Sequence, residues 1–254
     1  MHDYAAPMCA RPILARRLLY CSATAALGLV LTACGSSTTG AGTPASTPIH
    51  PQNGQPSLDV KTVSASGSGK CQSTQAPVPK GAQHIPKPTL TLDPARRYVV
   101  SLATNCGTIE IELDVREAPR TAASFAYLVK RGFYNDLTFH RVAAGFVIQG
   151  GDPNGDGSGG PGYTIVEAPP SNMRYTLGTV AMAKTASDPS GASGSQFFIV
   201  TASDAALPAQ YALVGNVVGS FAGVERISKL PTSPPQDGAP RTPVVIRRAT
   251  LSSS

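Results

Sequence analysis

Two neighbouring runs constrain this chain most: Tyr98-Val-Val-Ser-Leu-Ala-Thr and Thr108-Ile-Glu-Ile-Glu-Leu-Asp. In the second, Ile109, Ile111 and Leu113 alternate with Glu110, Glu112 and Asp114. A period of two places apolar side chains on one face of a strand and acids on the other. Asn105-Cys106-Gly107 between the runs reads as a hairpin turn. Further strands are expected at Thr138–Arg141, Phe146–Gly150, Thr179–Ala183, Gln196–Val200, Ala212–Val218 and Val244–Leu251. Pro119 opens a helix with Phe125, Leu128, Val129 and Phe133 on one side and Gly132 at its stop, and a second helix is expected over Phe221 to Lys229. Many strands separated by turns, with two helices, suit a mainly β fold, a closed barrel with capping helices.

The chain upstream of this pattern is of a different kind. Arg16 and Arg17 precede an apolar run from Leu18 to Ala33, the order of a secretory signal. That run is short for a membrane span, which needs roughly 20 residues. It ends Leu31-Thr32-Ala33-Cys34-Gly35, which resembles the bacterial lipobox. That resemblance implies cleavage before Cys34, a lipid on Cys34, and a protein held on the outer face of the cell membrane. An uncleaved N-terminal anchor is the alternative, and the initiator is either Met1 or Met8. Gly35 to about Gly69 is rich in Gly, Ser, Thr and Pro without apolar periodicity, so it reads as a disordered, flexible tether. As a random coil, about 36 such residues reach roughly 30–36 Å. Lys70 to Pro88 carries several prolines and is expected to lie extended on the domain surface. The organisation is therefore a signal over 1–33, a tether over 34–90 and a folded domain over 91–254.

Cysteine usage fits export. Cys9 and Cys21 leave with the signal and Cys34 carries lipid, so Cys71 and Cys106 remain as an even pair. In an oxidising compartment such a pair reads as a disulfide, the alternative being two unrelated thiols. The bond closes a loop of about 35 residues, worth roughly 3–4 kcal/mol on the chain-entropy model.

Several function classes fall away. The net charge of +6 includes +2 from the first 33 residues, and no Lys/Arg cluster occurs in the remainder, which argues against nucleic-acid binding. Asp152-x-Asn154-x-Asp156-Gly157 opens like a calcium loop, but Tyr163 stands where the twelfth-position Glu is required. The alternating acids Glu110, Glu112 and Asp114 read as a solvated strand face rather than a metal site. Ser193 and Ser195 with His140 form no nucleophile elbow with a coherent triad.

The segment Phe139-His140-Arg141-Val142-Ala143-Ala144-Gly145-Phe146-Val147-Ile148-Gln149-Gly150-Gly151-Asp152 resembles the cyclophilin signature. Gly194-Ser195-Gln196-Phe197-Phe198-Ile199 and Gly178-Thr179-Val180-Ala181-Met182-Ala183 match the same family, and the resemblance covers about Tyr98 to Leu251. It implies a closed eight-stranded antiparallel barrel capped by two helices. The implied activity is cis/trans isomerisation of X-Pro bonds, with proline-containing peptides and unfolded exported proteins as partners, in a monomer without cofactor or metal.

Rotation about an X-Pro bond is slow because amide resonance is lost, over a barrier of about 18–20 kcal/mol. Catalysis needs no covalent step, only an apolar seat for the proline and a donor for the twisted amide. A guanidinium suits that donor because it is always charged and rigid. The resemblance assigns it to Arg141, with Phe146, Phe198 and Leu207 lining the proline pocket and Gln149 bonding the substrate backbone. Gln196 flanks the groove, Ala183, Lys184 and Thr185 lie along it, and Gly157 borders an adjacent pocket. His140 is expected to be structural, since no proton is transferred. Four positions depart from the commonest pattern of the family. Val147 stands for Met, Lys184 for Asn, Ala206 for Trp and Tyr211 for His. The loss of that Trp at Ala206 implies weak cyclosporin binding, while Tyr211 keeps an aromatic wall with a hydroxyl. A catalytically silent module that binds proline-containing segments is the alternative function.

Overall fold

The computed structural model describes residues 69–254. The expected signal, Cys34 and the expected tether up to residue 68 lie outside the described residues. Strands β1 (Tyr98–Thr104) and β2 (Gly107–Leu113) form the expected hairpin. Ile109, Ile111 and Leu113 face inward, while Glu112 faces out and pairs with Arg97 at 2.8 Å.

Helix α1 (Pro119–Lys130) starts at a proline, whose missing N–H would have had no helical partner. Ala118 before it has no capping side chain, so the free N–H groups find one elsewhere. The Glu167 carboxylate accepts from the backbone of Arg120 and Thr121 at 3.1 and 2.7 Å. Gly132, at φ +67, turns the chain out of the helix, so Phe133 joins the core from beyond it.

The remaining elements are β3 (Leu137–Thr138), β4 (Arg141–Ala143), β5 (Val147–Gly150), β6 (Ile165–Val166), β7 (Thr179–Met182), β8 (Ala192–Ser193), β9 (Phe197–Val200), β10 (Leu213–Val218), α2 (Ala222–Ser228), β11 (Thr232–Ser233), β12 (Asp237–Pro240) and β13 (Val245–Ser253). Eleven strands form one sheet in the order β11-β12-β4-β5-β9-β7-β10-β2-β1-β13-β3, and β6 pairs with β8 separately. All pairings are antiparallel.

This corrects the expected closed eight-stranded barrel. The stretch expected as one strand over Thr138–Arg141 is two: Thr138 pairs with Val245, and Arg141 with Gln149. Phe139 and His140 lie between them outside the ladder. One end strand of the sheet is thus joined by two residues to a strand near the other end, which curls the sheet. A single bridge from Thr138 to Asp152 crosses the gap.

Side chains of α1 and of the sheet's inner face fill the interior. Phe125, Tyr134, Phe139 and Phe197 make ring contacts there, mostly edge to face, at centroid separations of 4.9–5.7 Å. Residues 70–92 run over the surface without helix or strand. This strap is fixed by a Cys71–Cys106 disulfide and by Gln72 N–H donating to Asn105 O at 2.8 Å. Further along, Lys80 N–H donates to Pro153 O and Ile85 N–H to Pro161 O, while the Lys80 ammonium donates to the carbonyls of Phe133 and Asn135. Among the described residues no helix is long and apolar enough to cross a membrane.

Candidate functional site

Antiparallel register brings the key side chains into one row. Arg141 on β4 lies opposite Gln149 on β5, Gln149 opposite Phe198 on β9, and Phe198 opposite Ala181 on β7. Directly opposed residues share a face of the sheet. Phe146 sits in the β4–β5 turn, where Gly145 at φ +69 reverses the chain. The Phe146 carbonyl accepts from Thr201 and Ala202, tying that turn to the end of β9.

Phe146, Leu207 and Tyr211 are half-buried and pack with buried Phe198, Val147, Ala143, Val200 and Tyr175 in a small apolar cluster, distinct from the main core. Tyr211 meets Phe198 edge to face at 5.4 Å. Buried Tyr175 holds Tyr211 at both backbone groups: its hydroxyl donates to Tyr211 O at 2.7 Å and accepts from Tyr211 N–H at 2.9 Å. The cluster is half-open: Phe146, Leu207 and Tyr211 leave its outer side partly exposed to solvent.

Polar groups border it in a chain of hydrogen bonds. The Arg141 Nη1 donates to Gln149 Oε1 at 3.2 Å, and Gln149 Nε2 donates to Gln196 Oε1 at 3.1 Å. Gln196 Nε2 then donates to the carbonyls of Gly157 and Gly159 at 2.8 and 2.9 Å. On its other side Arg141 is held by Asp237 of β12. Its Nε and Nη2 donate to the two carboxylate oxygens, each at 2.7 Å. This pairing holds the Asp237 carboxyl below the usual carboxylate range.

A cavity of about 470 Å³ lies beside this chain, lined by Gln149, Gly157, Gly159, Ala183, Lys184, Thr185 and Gln196 among others. Lys184 folds back, donating to the carbonyls of Thr185 and Asp188 at 3.1 Å with its ammonium 5.6 Å from the Tyr211 ring centre. Thr185 donates through N–H and hydroxyl to Asp188, which keeps that carboxyl low. Ala183 N–H donates to Gln196 O.

The structure therefore places Phe146, Phe198, Leu207 and Tyr211 in one half-open apolar cluster, with Arg141, Gln149 and Gln196 in one polar chain that reaches the groove. Val147 belongs to the same apolar cluster and is buried in it, 2% exposed. One expected residue sits differently. Ala206 is exposed at φ +51, its backbone held by Asp204, and lies outside the apolar cluster. His140 forms no link of the polar chain; its Nδ1 is buried without a partner, and burial lowers its pKa below the ordinary 6.5.

Two contributors, Asp237 and Tyr175, escape sequence reasoning, and Asp152 is singled out by it without its structural role. Asp152 is 1% exposed, and its carboxylate accepts from the backbone of Asn154, Asp156 and Gly157. The stretch that opens like a calcium loop is instead organised around this buried side chain. The Asp-x-x-x-Asp-Gly spacing is the signal that could have suggested it.

The model for the cyclophilin type peptidyl-prolyl cis-trans isomerase family matches residues 99–251. The chain is 37% identical over 137 residues to a peptidyl-prolyl cis-trans isomerase of Helicobacter pylori, covering 54% of this chain and 82% of that protein. It is 42% identical over 121 residues to peptidyl-prolyl cis-trans isomerase B of Bacillus subtilis, covering 47% of this chain and 82% of that one. Among solved structures it is similar to a Cryptosporidium parvum cyclophilin type isomerase crystallised in the presence of the dipeptide Ala-Pro. There the TM-score is 0.56 at 29% identity, over 61% of this chain and 99% of the other.

Proposed function

Because the chain belongs to the cyclophilin type peptidyl-prolyl cis-trans isomerase family, we propose that it accelerates rotation of X-Pro bonds in exported proteins, from a lipid anchor at Cys34 on the outer face of the membrane. The observation that carries the catalytic part is the row of Arg141, Gln149 and Phe198, which sets a fixed cation beside a half-open apolar cluster.

In this reading the proline ring enters the recess between Phe146, Phe198, Leu207 and Tyr211, where it displaces water from apolar surface. Gln149 holds the substrate backbone. As the bond twists, the prolyl nitrogen loses conjugation and its lone pair becomes basic. Arg141 has five N–H groups, and the described side-chain contacts engage three of them. The others are free to meet that developing charge, a contact stronger in the transition state than in either ground state. No covalent bond forms and no proton moves, in keeping with a His140 that stands apart from the relay.

Residues 16–35 support the anchor, through the basic pair, the apolar run and Leu31-Thr32-Ala33-Cys34. Rates of X-Pro peptide isomerisation for wild type and Arg141→Ala test the chemistry. A wild-type rate above background that falls about 10²–10³-fold is expected. Equal rates, both at background, leave only a binding module. Mass spectrometry of the mature N-terminus tests the anchor, and an unmodified or uncleaved Cys34 overturns it.

A further inference from the structure

Arg141 is approached from two sides, and the stronger grip comes from outside the family signature. Asp237, 96 residues away in sequence, takes the Nε–Nη2 edge of the guanidinium in a two-bond fork at 2.7 Å each. Gln149 makes a single longer bond to Nη1. Asp237 opens β12, which pairs with β4 through Asp237↔Ala143 and Gly238↔Val142. Its backbone is thus fixed to the strand that carries Arg141. Buried Thr232 and the β11–β12 pairing hold the far side of this hairpin.

We propose that Asp237 is a positioning residue for the catalytic cation: it fixes the plane of the Arg141 guanidinium so that its unengaged N–H groups face the recess. The inference rests on the functional reading above. An arginine side chain free in solvent samples many rotamers, and a donor that must be ordered during each turnover loses much of its advantage. The fork orders it beforehand. A carboxylate also opposes part of the cation's charge, so the gain is in geometry rather than in field strength. With side chains 35% and 53% exposed, the pair is too wet to act as a major support of the fold.

The test compares kcat and KM on an X-Pro peptide for wild type, Asp237→Ala, Asp237→Asn, Asp237→Glu, Arg141→Ala and the Arg141→Ala/Asp237→Ala pair, with thermal unfolding of each. Asp237→Ala is expected to lower kcat about 10-fold with KM changed less than about twofold, in a protein that still unfolds cooperatively near the wild-type temperature. Asp237→Glu recovers most of that loss, because charge and fork survive, and Asp237→Asn recovers less. Removing Asp237 adds nothing once Arg141 is gone. The inference is overturned alone if Arg141→Ala is slow while Asp237→Ala keeps a kcat within about twofold of wild type, or if the two losses multiply in the double variant. Wild-type turnover by Arg141→Ala overturns the functional reading and this inference with it.

Discussion

Phe197 and Phe198 are neighbours on one strand with opposite fates. Phe197 points inward and is sealed at 0% exposure among Phe125, Tyr134 and Phe139. Phe198 points to the other face, where its companions Phe146, Leu207 and Tyr211 are only half-buried. The first cluster is sealed; the second is partly open to solvent. A proline ring of a substrate would finish it. The comparison shows how a sheet divides its two faces between holding the fold and holding a ligand, with a single residue step as the boundary.

That division predicts which substitutions harm stability and which harm turnover. Phe197→Ala should cost about 3–5 kcal/mol of unfolding free energy, with little change in activity per folded molecule, as read by denaturant titration beside a peptide assay. Replacing Cys71 and Cys106 by Ser should lower stability by about 3–4 kcal/mol on the loop-entropy model and leave kcat unaltered. Cys106 lies in the sealed cluster, so a loss of turnover there would break the comparison.

Phe198→Ala should be milder for the fold, about 2 kcal/mol, because an open recess relaxes or hydrates where a sealed core cannot. It should nevertheless lower kcat/KM more than Phe197→Ala does. Leu207→Ala sharpens the point further. Expected are under about 1 kcal/mol of stability and roughly a tenfold fall in kcat/KM from lost apolar contact. Equal effects of Phe197→Ala and Leu207→Ala on turnover would dissolve the distinction.

The smallest effect concerns pH. Burial lowers the His140 pKa from 6.5, so on acidification the unfolded chain takes up a proton before the folded one. Stability attributable to His140 is complete above the unfolded value, declines as pH falls below about 6.5, and levels off once the folded form also protonates. His140→Phe should flatten that part of a stability-against-pH curve without shifting the activity profile.

Legibility in the sequence followed physical pattern. The β1–β2 hairpin was readable because its alternation is strict and its faces are chemically opposite. Helix α1 was readable from Pro119 and Gly132. The curl was not, because nothing local in Thr138-Phe139-His140-Arg141 says that its two halves pair with strands at opposite ends of a sheet. The β11–β12 hairpin carries Pro234, Pro235 and Pro240 and no alternation, so nothing in it signals a strand pair. Asp237 was hidden with it. Arg141, Phe146 and Gln149 were legible through resemblance, whereas Tyr175 acts through its hydroxyl on the Tyr211 backbone, a contact that leaves no mark in spacing.

The Cys71–Cys106 bond also has a mechanical side. A pull arriving from the N-terminal direction crosses at the two sulfurs and loads the turn between β1 and β2. Residues 71–106 form a covalent ring closed by that bond, so the pull bypasses the strap within it. Its contacts at Pro153 and Pro161, which back the Gly157–Gly159 border of the groove, are therefore isolated from tension. A molecule tugged from the N-terminal side would keep its groove undeformed while that bond lasts. Once the bond is reduced, the same pull would peel the strap from Gln72 onward and reach the groove border directly.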